Sequence, residues 1–430
     1  MRARWATAFL LAGSLSPPNA TAQAVLLRDA NVVDPAAQRI TRASIVIDGD
    51  SILSITAEPP RDFRGRTIDL RGKWVMPGLF DGHVHSHGNI GPTPAVVERI
   101  GTERLAAVVT RAGVTGFLDL FGLEDSILTL RNRSRHGDLA GADIYAAGTL
   151  FTAPGGHGTQ YRIPPRLMST PDEARRHVAE IAPKQPDVIK IIFTPPGPQS
   201  LDKATVEAII EASRQRGIKT VVHINRWSEA LDVALAGASA ITHVANDTVP
   251  DEVVRVFRDR GVVVIPTISL ADLRRFVPDS AALASPLLSR VTTPQIIEAY
   301  RNATVPTPDR LARLATIYEA HKRSLSKLAA AGVSIMAGTD AGNPGVIQGF
   351  TLHRELEVYV EAGLTPWQAL ASATVTPGVF LGARYGMRSG ALANLLVLSA
   401  SPVEDIRNTQ KIEMVFVRGE AVDGIGPVAR

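Results

Sequence analysis

The stretch VMPGLFDGHVH, residues 75–85, decides the fold because it opens a series of short apolar runs, several of which end at a polar side chain. Helix-length segments separate most of these runs. Continuous apolar runs of this length are typical of parallel strands that are buried on both faces. The runs are VMPGLFDG (75–82), GVTGFLDL (113–120), ADIYAAG (142–148), DVIKIIF (187–193), KTVVHI (219–224), AITHV (240–244), VVVIPTI (262–268) and SIMAGTD (334–340).

Apolar runs that alternate with helices predict an α/β fold, and this number of runs predicts a (β/α)8 TIM barrel. Segments 202–216, 228–236 and 251–260 are predicted helices, because each is followed directly by a glycine that can end it. The segment 269–333 is longer than one crossover requires. We expect it to form extra helices that roof the site.

The two ends of the chain have a different pattern. Residues 24–75 alternate short β-rich runs with Gly and Asp turns, and ANLLVLSA (393–400) and KIEMVFVRGEAVDG (411–424) again indicate strands and a hairpin. We therefore expect both ends to pair into one small β-sandwich beside the barrel. The predicted division is a signal peptide (1–22), the first part of the sandwich (23–75), the barrel (76–385) and the second part of the sandwich (386–430).

The first residues predict a signal peptide. Arg2 and Arg4 precede a largely apolar run over residues 5–15, and the small residues 20–22 provide a cleavage site. We therefore expect an exported protein that is periplasmic or secreted after cleavage. The alternative is a buried N-terminal helix, which Pro17 and Pro18 disfavour.

Composition argues against several other classes. Hydrophobic residues make up 45% of the 430 residues and charged residues 20%, as in soluble globular proteins. The sequence has no cysteine, which excludes disulfides, a lipid anchor on Cys and thiolate ligands for zinc. The net charge of +4 is not gathered into a basic stripe, so nucleic acid is not an expected partner. No later stretch reaches about 18 uncharged apolar residues, so no stable membrane anchor is expected.

Metal-compatible side chains lie in or directly after several of the apolar runs. Since barrel enzymes carry their active sites at the carboxyl ends of the strands, we expect these side chains to converge. His83 and His85 are two positions apart in an extended chain, so both point to one face and can bind one cation. Any of the six alone would more often be structural, and the prediction depends on their combination. The set is His83, His85, Lys190, His223, His243 and Asp340.

With these residues in place, the sequence resembles the amidohydrolase superfamily in its two-metal subtype. VMPGLFDGHVH resembles the first-strand motif of that superfamily, and AGTDAG (337–342) resembles its eighth-strand motif. The segment 352–382, LHRELEVYVEAGLTPWQALASATVTPGVFLG, is similar to the helical tail of imidazolonepropionase-like and prolidase-like members. The likeness covers nearly all of the chain after the signal peptide.

The resemblance implies a hydrolase with two divalent ions, for which zinc is the first choice. A lysine that lines a barrel mouth is poorly solvated, which lowers its pKa and lets it form a carbamate; the carbamate on Lys190 would bridge the ions. A metal-bridging hydroxide would attack the substrate carbonyl, with Asp340 as ligand and proton shuttle. In this assignment one ion has His83, His85 and Asp340 as ligands, and the other has His223 and His243.

The substrate-binding residues are predicted less directly. In APGGHGTQYR (153–162) the glycines allow a close approach to a ligand, and prolidase-like members have a similar GGHG stretch that touches the substrate. His157 is therefore a candidate substrate contact, and Tyr161 and Arg162 are candidates for binding a carboxylate; ordinary loop roles are the alternative. We expect His321 and His353, in helical segments, to have packing or surface roles.

The expected substrate is a small carboxylate-bearing amide, such as a dipeptide or an N-acyl amino acid. The stretch IIFTPPGPQ (191–199) departs from the glycines and small residues that prolidase-like members have after this lysine, so the substrate side of the site differs. Three alternatives stay open: a single-metal cyclic-amide hydrolase or deaminase in which Lys190 does not bridge ions, an esterase or lactonase with the same site, and an exported binding protein without turnover. A homo-oligomer is also left open.

Overall fold

The computed structural model describes residues 24–88, 90–93, 96–98, 100–161, 163–195, 197, 199–272 and 280–423. The predicted signal peptide and Arg162 lie outside these residues. Among the residues described, none of the helices combines the length and the apolar character that a membrane crossing requires.

The strands are β1 (Val25–Asp34), β2 (Arg39–Asp48), β3 (Ser51–Thr56), β4 (Arg66–Asp69), β5 (Trp74–Pro77), β6 (Leu79–Val84), β7 (Ile90–Thr93), β8 (Val96–Glu98), β9 (Val114–Asp119), β10 (Asp143–Ala146), β11 (Leu150–Thr152), β12 (Arg166–Leu167), β13 (Val188–Ile192), β14 (Lys219–His223), β15 (Ala240–Thr242), β16 (Val263–Ile265), β17 (Leu395–Leu398), β18 (Ile412–Val417) and β19 (Glu420–Ala421). The helices are α1 (Thr102–Thr110), α2 (Glu124–His136), α3 (Pro171–Ile181), α4 (Lys203–Arg214), α5 (Trp227–Ala236), α6 (Asp251–Arg260), α7 (Ser280–Leu283), α8 (Pro286–Val291), α9 (Pro294–Arg301), α10 (Pro308–Ala330), α11 (Phe350–Glu361), α12 (Pro366–Ser372) and α13 (Val375–Leu381). Short 3-10 turns occur at Ala182–Lys184, Ile268–Leu270 and Ile406–Gln410.

Strands from both ends of the chain pair in one mixed sheet. Its order is β19-β18-β17-β5-β1-β2-β3, and β4 also pairs with β1. The two ends meet where β17 runs antiparallel to β5, with Leu395 opposite Pro77. Alternate side chains of these strands, including Leu27, Ile45 and Phe416, form a core cluster of their own. This sheet is consistent with the predicted sandwich from both chain ends.

The central part of the chain is α/β, with parallel strands. Strands β6, β9 and β10 form one sheet, and β11 to β16 form another with the order β12-β11-β13-β14-β15-β16. Backbone hydrogen bonds also join elements outside these pairings. Asp187 N donates to Ala146 O at 3.0 Å, and Met336 N donates to Val264 O at 2.9 Å.

The helices predicted from the sequence are present. The Asp202 side chain caps α4 by accepting from Thr205 N at 2.7 Å, and α5 and α6 end at Gly237 and Gly261, which have φ angles of 98° and 66°. These left-handed conformations are the ones that glycine adopts most readily at a helix end. The prediction of extra helices within 269–333 is also confirmed, because α7 to α10 occupy this segment.

Candidate active site

The parallel strands bring the predicted metal-binding side chains to one cavity of about 360 Å³. His83 lies near the end of β6, His223 ends β14, and His243 directly follows β15. Lys190 lies in the middle of β13, and Asp340 follows the segment that pairs with β16 at Ile335. All six predicted residues, His83, His85, Lys190, His223, His243 and Asp340, line this cavity.

His83, His85 and Asp340 form the tightest group in the cavity. Asp340 Oδ1 lies 2.9 Å from His85 Nε2 and 3.3 Å from His83 Nε2. One donor atom from each residue lies within 4.8 Å of the others, which is close enough for one ion to contact all three. Two imidazoles and a carboxylate are a ligand set that suits zinc and similar divalent ions.

Backbone hydrogen bonds hold this group in place. Asp340 N donates to His83 O at 2.8 Å, and His85 N donates to Ala341 O at 2.7 Å. Asp340 has a φ of 58° and His243 a φ of 72°, which are uncommon for residues other than glycine. Such backbone conformations persist where the surroundings fix them, and they concentrate at functional sites.

Two threonines orient two of the histidines. His83 Nδ1 lies 2.6 Å from Thr242 Oγ1, and His243 Nδ1 lies 2.7 Å from Thr267 Oγ1. The other ring nitrogen of His83, Nε2, has no hydrogen-bond partner among the described residues. A partner on the far ring nitrogen is the usual way in which proteins fix the tautomer and orientation of a metal-binding imidazole.

Glu355 of α11 holds the loop that carries Thr267. Its two carboxylate oxygens accept from Ile268 N at 2.8 Å and from Ser269 N at 2.7 Å. Thr267 itself has a φ of 51°, so the loop enters this turn through a left-handed residue. Glu355 is fully buried, and burial raises its pKa to about 7. The chain of contacts therefore runs from Glu355 through the backbone to Thr267 and then to His243.

The Lys190 amine is buried without a partner. Its side chain is 2% exposed, and Nζ has no hydrogen-bond partner among the described residues. Burial lowers its pKa to about 7, so a large share of the amine is neutral and nucleophilic near neutral pH. Burial also holds the pKa values of His83, His223 and His243 well below the ordinary range, which favours the neutral imidazole that binds metals.

The predicted substrate-binding residues have different outcomes. His157 lines the cavity, and its ring centroid lies 4.9 Å from that of His223. Tyr161 also lines the cavity and is 46% exposed. Its ring centroid lies 6.2 Å from that of Phe121, with the two rings in an edge-on arrangement. Arg162 lies outside the described residues. The roles of all three stay predictions.

Sequence reasoning missed several residues that support the site. Thr242 and Thr267 have no motif of their own, although each lies within one of the apolar runs, 240–244 and 262–268. Glu355 lies within the predicted helical tail, and nothing in its spacing indicates a contact with residues 268 and 269. His321, for which a packing or surface role was expected, is buried and also lines the same cavity as the metal-compatible residues.

Comparison with known proteins agrees with this geometry. A sequence profile described as "Amidohydrolase family" matches residues 74–422. The chain belongs to the amidohydrolase family. The match begins in β5 and ends just after β19, so it includes the parallel strands and every metal-compatible residue named above.

Individual relatives are distant but nearly full-length. Ochratoxinase of Aspergillus niger is 24% identical in an alignment 447 positions long that covers 90% of this chain and 85% of the relative. A crystal structure of a Xaa-Pro dipeptidase with bound methionine in the active site is 25% identical, with a TM-score of 0.74, and covers 93% of this chain and 100% of the other. A prolidase complexed with N-methylphosphonate-L-proline has a TM-score of 0.74 at 22% identity, over 93% of this chain and 99% of the other, and that likeness shows the fold.

These findings confirm the predicted enzyme class. This member of the amidohydrolase family is a hydrolase of amide bonds that acts on small-molecule substrates. Its relatives include prolidase-like proteins and ochratoxinase, in agreement with the prolidase-like resemblance of the motifs. A metal-binding role is supported by the family and by the group of His83, His85 and Asp340.

Proposed function

We propose that the protein is an exported, metal-dependent amidohydrolase that cleaves the amide bond of a peptide-like or N-acyl amino acid substrate. The observation that carries this proposal is the convergence of six metal-compatible side chains, far apart in the sequence, on one cavity. The relatives add support, because ochratoxinase and a Xaa-Pro dipeptidase are among the proteins that this chain resembles over most of its length.

The residues present fit a pair of divalent ions. His83 Nε2, Lys190 Nζ and Asp340 Oδ1 are all buried polar atoms without a hydrogen-bond partner in the described part of the chain, as expected of atoms that bind a metal or carry a carbamate. When bound, the ions would polarise the substrate carbonyl and lower the pKa of water. We assign His83, His85 and Asp340 to one ion, His223 and His243 to the other, and a carbamate on Lys190 to both, with zinc as the first choice of metal.

The chain's own residues then have distinct tasks. The Asp340 carboxylate accepts a proton from the attacking water and donates it to the leaving amine nitrogen. Its position is fixed from the backbone side by the hydrogen bond to His83 O. Thr242 and Thr267 hold two imidazoles in one orientation. His157 contacts the substrate near His223, and Tyr161 and Arg162 bind its carboxylate.

We also infer that the parallel strands close into the (β/α)8 barrel expected from the sequence. Gly82 N donates to Ala337 O at 2.8 Å, which links β6 to the segment that precedes Asp340. The bonds from Asp187 to Ala146 and from Met336 to Val264 bridge the other gaps between the sheets. One core cluster takes side chains from successive strands, as the interior of a barrel does: Phe80, Leu118, Tyr145, Val188, Val221, Ala240, Val263 and Met336.

A substrate screen tests the proposed function. Purified protein is assayed against dipeptides and N-acyl amino acids, with and without added zinc and bicarbonate. We expect turnover that rises with both additions, because zinc fills the sites and bicarbonate supplies the carbon dioxide of the carbamate. No turnover of any carboxylate-bearing amide would remove this proposal.

Two physical measurements accompany the screen. Elemental analysis is expected to find two ions per chain, and mass spectrometry of the native protein is expected to find one added carbon dioxide at Lys190. One ion per chain and an unmodified lysine would instead support the single-metal hydrolase or deaminase.

A further inference from the structure

Helix α10 contributes one of its faces to the wall of the cavity. Leu314, Ile317 and His321 are spaced three and four residues apart, which places them on one side of the helix, and all three line the cavity with the metal-compatible residues. Leu314 and Ile317 are partly exposed, whereas His321 is only 7% exposed. The wall therefore has an apolar outer part and a buried imidazole.

His321 differs from His353, a buried histidine of α11 that serves as the comparison. His353 uses both ring nitrogens: Nδ1 lies 2.9 Å from Thr409 Oγ1, and Nε2 lies 2.8 Å from Ala112 O. In His321 neither ring nitrogen has a hydrogen-bond partner among the described residues. A buried polar atom without a partner destabilises the fold. Packing therefore accounts for His353 and leaves the two nitrogens of His321 unexplained.

The surroundings of His321 favour an uncharged ligand group. Helix α10 packs on the turn Ile268–Leu270, and Leu270, Ala271 and Val244 line the same cavity. Among the lining residues that the structure describes, Lys190 has the one lysine or arginine side chain. A charged group placed against this wall would lose its hydration without gaining a partner of opposite charge.

The state of the ring agrees with this preference. Burial lowers the pKa of His321 to about 4, so the imidazole is neutral near pH 7. A neutral imidazole offers one N–H donor and one acceptor nitrogen, which matches a hydroxyl or an amide group.

We propose that His321 is a substrate-binding residue that sets specificity, by hydrogen-bonding an uncharged polar group on the apolar part of the substrate that lies against Leu314 and Ile317. The proposal rests on the proposed function in one respect, because it takes the ligand of this cavity to be an amide. The scissile bond of that amide lies at the metal-compatible residues, and the group that His321 binds lies away from it.

Two pairs of compounds test the proposal on the zinc-loaded full chain. N-acetyl-L-tyrosine and N-acetyl-L-phenylalanine differ by one hydroxyl on the amine side of the amide, and N-(4-hydroxybenzoyl)glycine and N-benzoylglycine differ by one hydroxyl on the acyl side. Binding is measured by calorimetry and hydrolysis by product release. The proteins are the wild type, His321→Phe, His321→Gln and, as the matched control, His353→Phe.

We expect the wild type to bind the hydroxylated member of at least one pair about tenfold more tightly than its partner. His321→Phe should bind the two members equally, His321→Gln should keep part of the preference, and His353→Phe should keep all of it. The unfolding midpoint should fall in His353→Phe but not in His321→Phe, because only the first change breaks hydrogen bonds within the protein.

A wild type that prefers neither hydroxylated compound, or a His321→Phe variant that keeps the preference, would overturn the proposal. Its failure is distinguishable from failure of the proposed function, because calorimetry does not require turnover. Discrimination without hydrolysis would support the role of His321 and leave the amidase proposal to the wider substrate screen, whereas hydrolysis without discrimination would remove the role of His321 alone.

Discussion

The two ends of the cavity hold their imidazoles in different ways. The metal-compatible end is the part of the cavity lined by the six metal-compatible residues. There, His83 and His243 each form a hydrogen bond between Nδ1 and a threonine hydroxyl. At the α10 end, His321 has no hydrogen-bond partner among the described residues. The difference indicates that the first end is preorganised for chemistry, whereas the second leaves hydrogen-bonding capacity for a ligand.

Backbone conformation follows the same division. The positive φ angles of His243, Thr267 and Asp340 all lie at the metal-compatible end. Each such residue costs about 1 to 3 kcal/mol and persists only when its neighbours fix it. Substitutions at this end should therefore change activity and metal binding strongly, and changes in the supporting residues should have smaller effects of the same kind.

The largest expected effect is that of Asp340→Asn. The amide has the same shape but cannot accept the proton of the attacking water, so we expect kcat/KM to fall by about 10³-fold or more. Asp29→Asn is the control, since Asp29 pairs with Arg42 at the surface and should leave activity unchanged. Activity of Asp340→Asn within tenfold of the wild type would show that the carboxylate does not shuttle the proton.

Lys190→Met should have the next largest effect. The thioether fills similar space but cannot form the proposed carbamate, so a second ion would have no bridge and kcat/KM is expected to fall by at least about 100-fold. Elemental analysis should then find fewer than two ions per chain. Lys203→Met on the exposed surface of α4, where the lysine pairs with Asp232, is the control. Two ions per chain in Lys190→Met would contradict the bridging role.

The residues at the metal-compatible end of the cavity were easier to group from the sequence than those at the α10 end, for a physical reason. Barrel strands place the residues at their carboxyl ends together, so positions such as His83, His223 and Asp340 could be grouped from strand order alone. His321 lies on a helix, and helical spacing shows which residues share a face without showing what that face meets. The spacing of Leu314, Ile317 and His321 became informative only once α10 was seen to line the cavity.

The contacts that support the site also could not be predicted from the sequence. Thr242 forms a hydrogen bond with His83, which is far away along the chain. Glu355, on a separate helix, accepts a hydrogen bond from the backbone just after Thr267. Such pairs depend on how elements pack in space, and one sequence contains no signal for that packing. The extra helices of 269–333 were predictable from length alone, whereas the role of α10 was not.

Thr242→Val tests the supporting contact of His83. Valine keeps the shape but removes the hydroxyl that lies 2.6 Å from His83 Nδ1, so we expect zinc affinity and kcat/KM to fall by about 10- to 100-fold. Affinity is measured by competition with a chelator. Thr205→Val is a matched control, because the buried Oγ1 of Thr205 has no hydrogen-bond partner in the described part of the chain. Equal zinc affinity in the two variants would contradict the proposed role of Thr242 in orienting His83.

Glu355→Gln has the smallest expected effect on activity and a distinctive effect on stability. Glutamine can accept from only one of the two backbone N–H groups at Ile268 and Ser269, so the Thr267 loop loosens and kcat/KM should fall by roughly tenfold. Glu298→Gln, at an exposed ion pair on α9, is the control and should leave kcat/KM unchanged.

The pH dependence of stability sharpens this test. Burial raises the pKa of Glu355 from 4.5 to about 7 in the folded protein, so its contribution to stability is complete below about pH 4.5 and is lost as the pH rises through 7. Glutamine does not titrate, and the loss of unfolding free energy caused by the substitution should therefore be roughly 2 to 3 kcal/mol larger at pH 5 than at pH 8. Urea unfolding of the metal-free wild type and variant at both pH values measures the difference without a contribution from metal release. The opposite outcome is that the two proteins differ in unfolding free energy by the same amount at pH 5 and pH 8. That result would mean that Glu355 is ionised in the folded protein at both pH values, because the two backbone donors stabilise its charge at least as much as burial destabilises it.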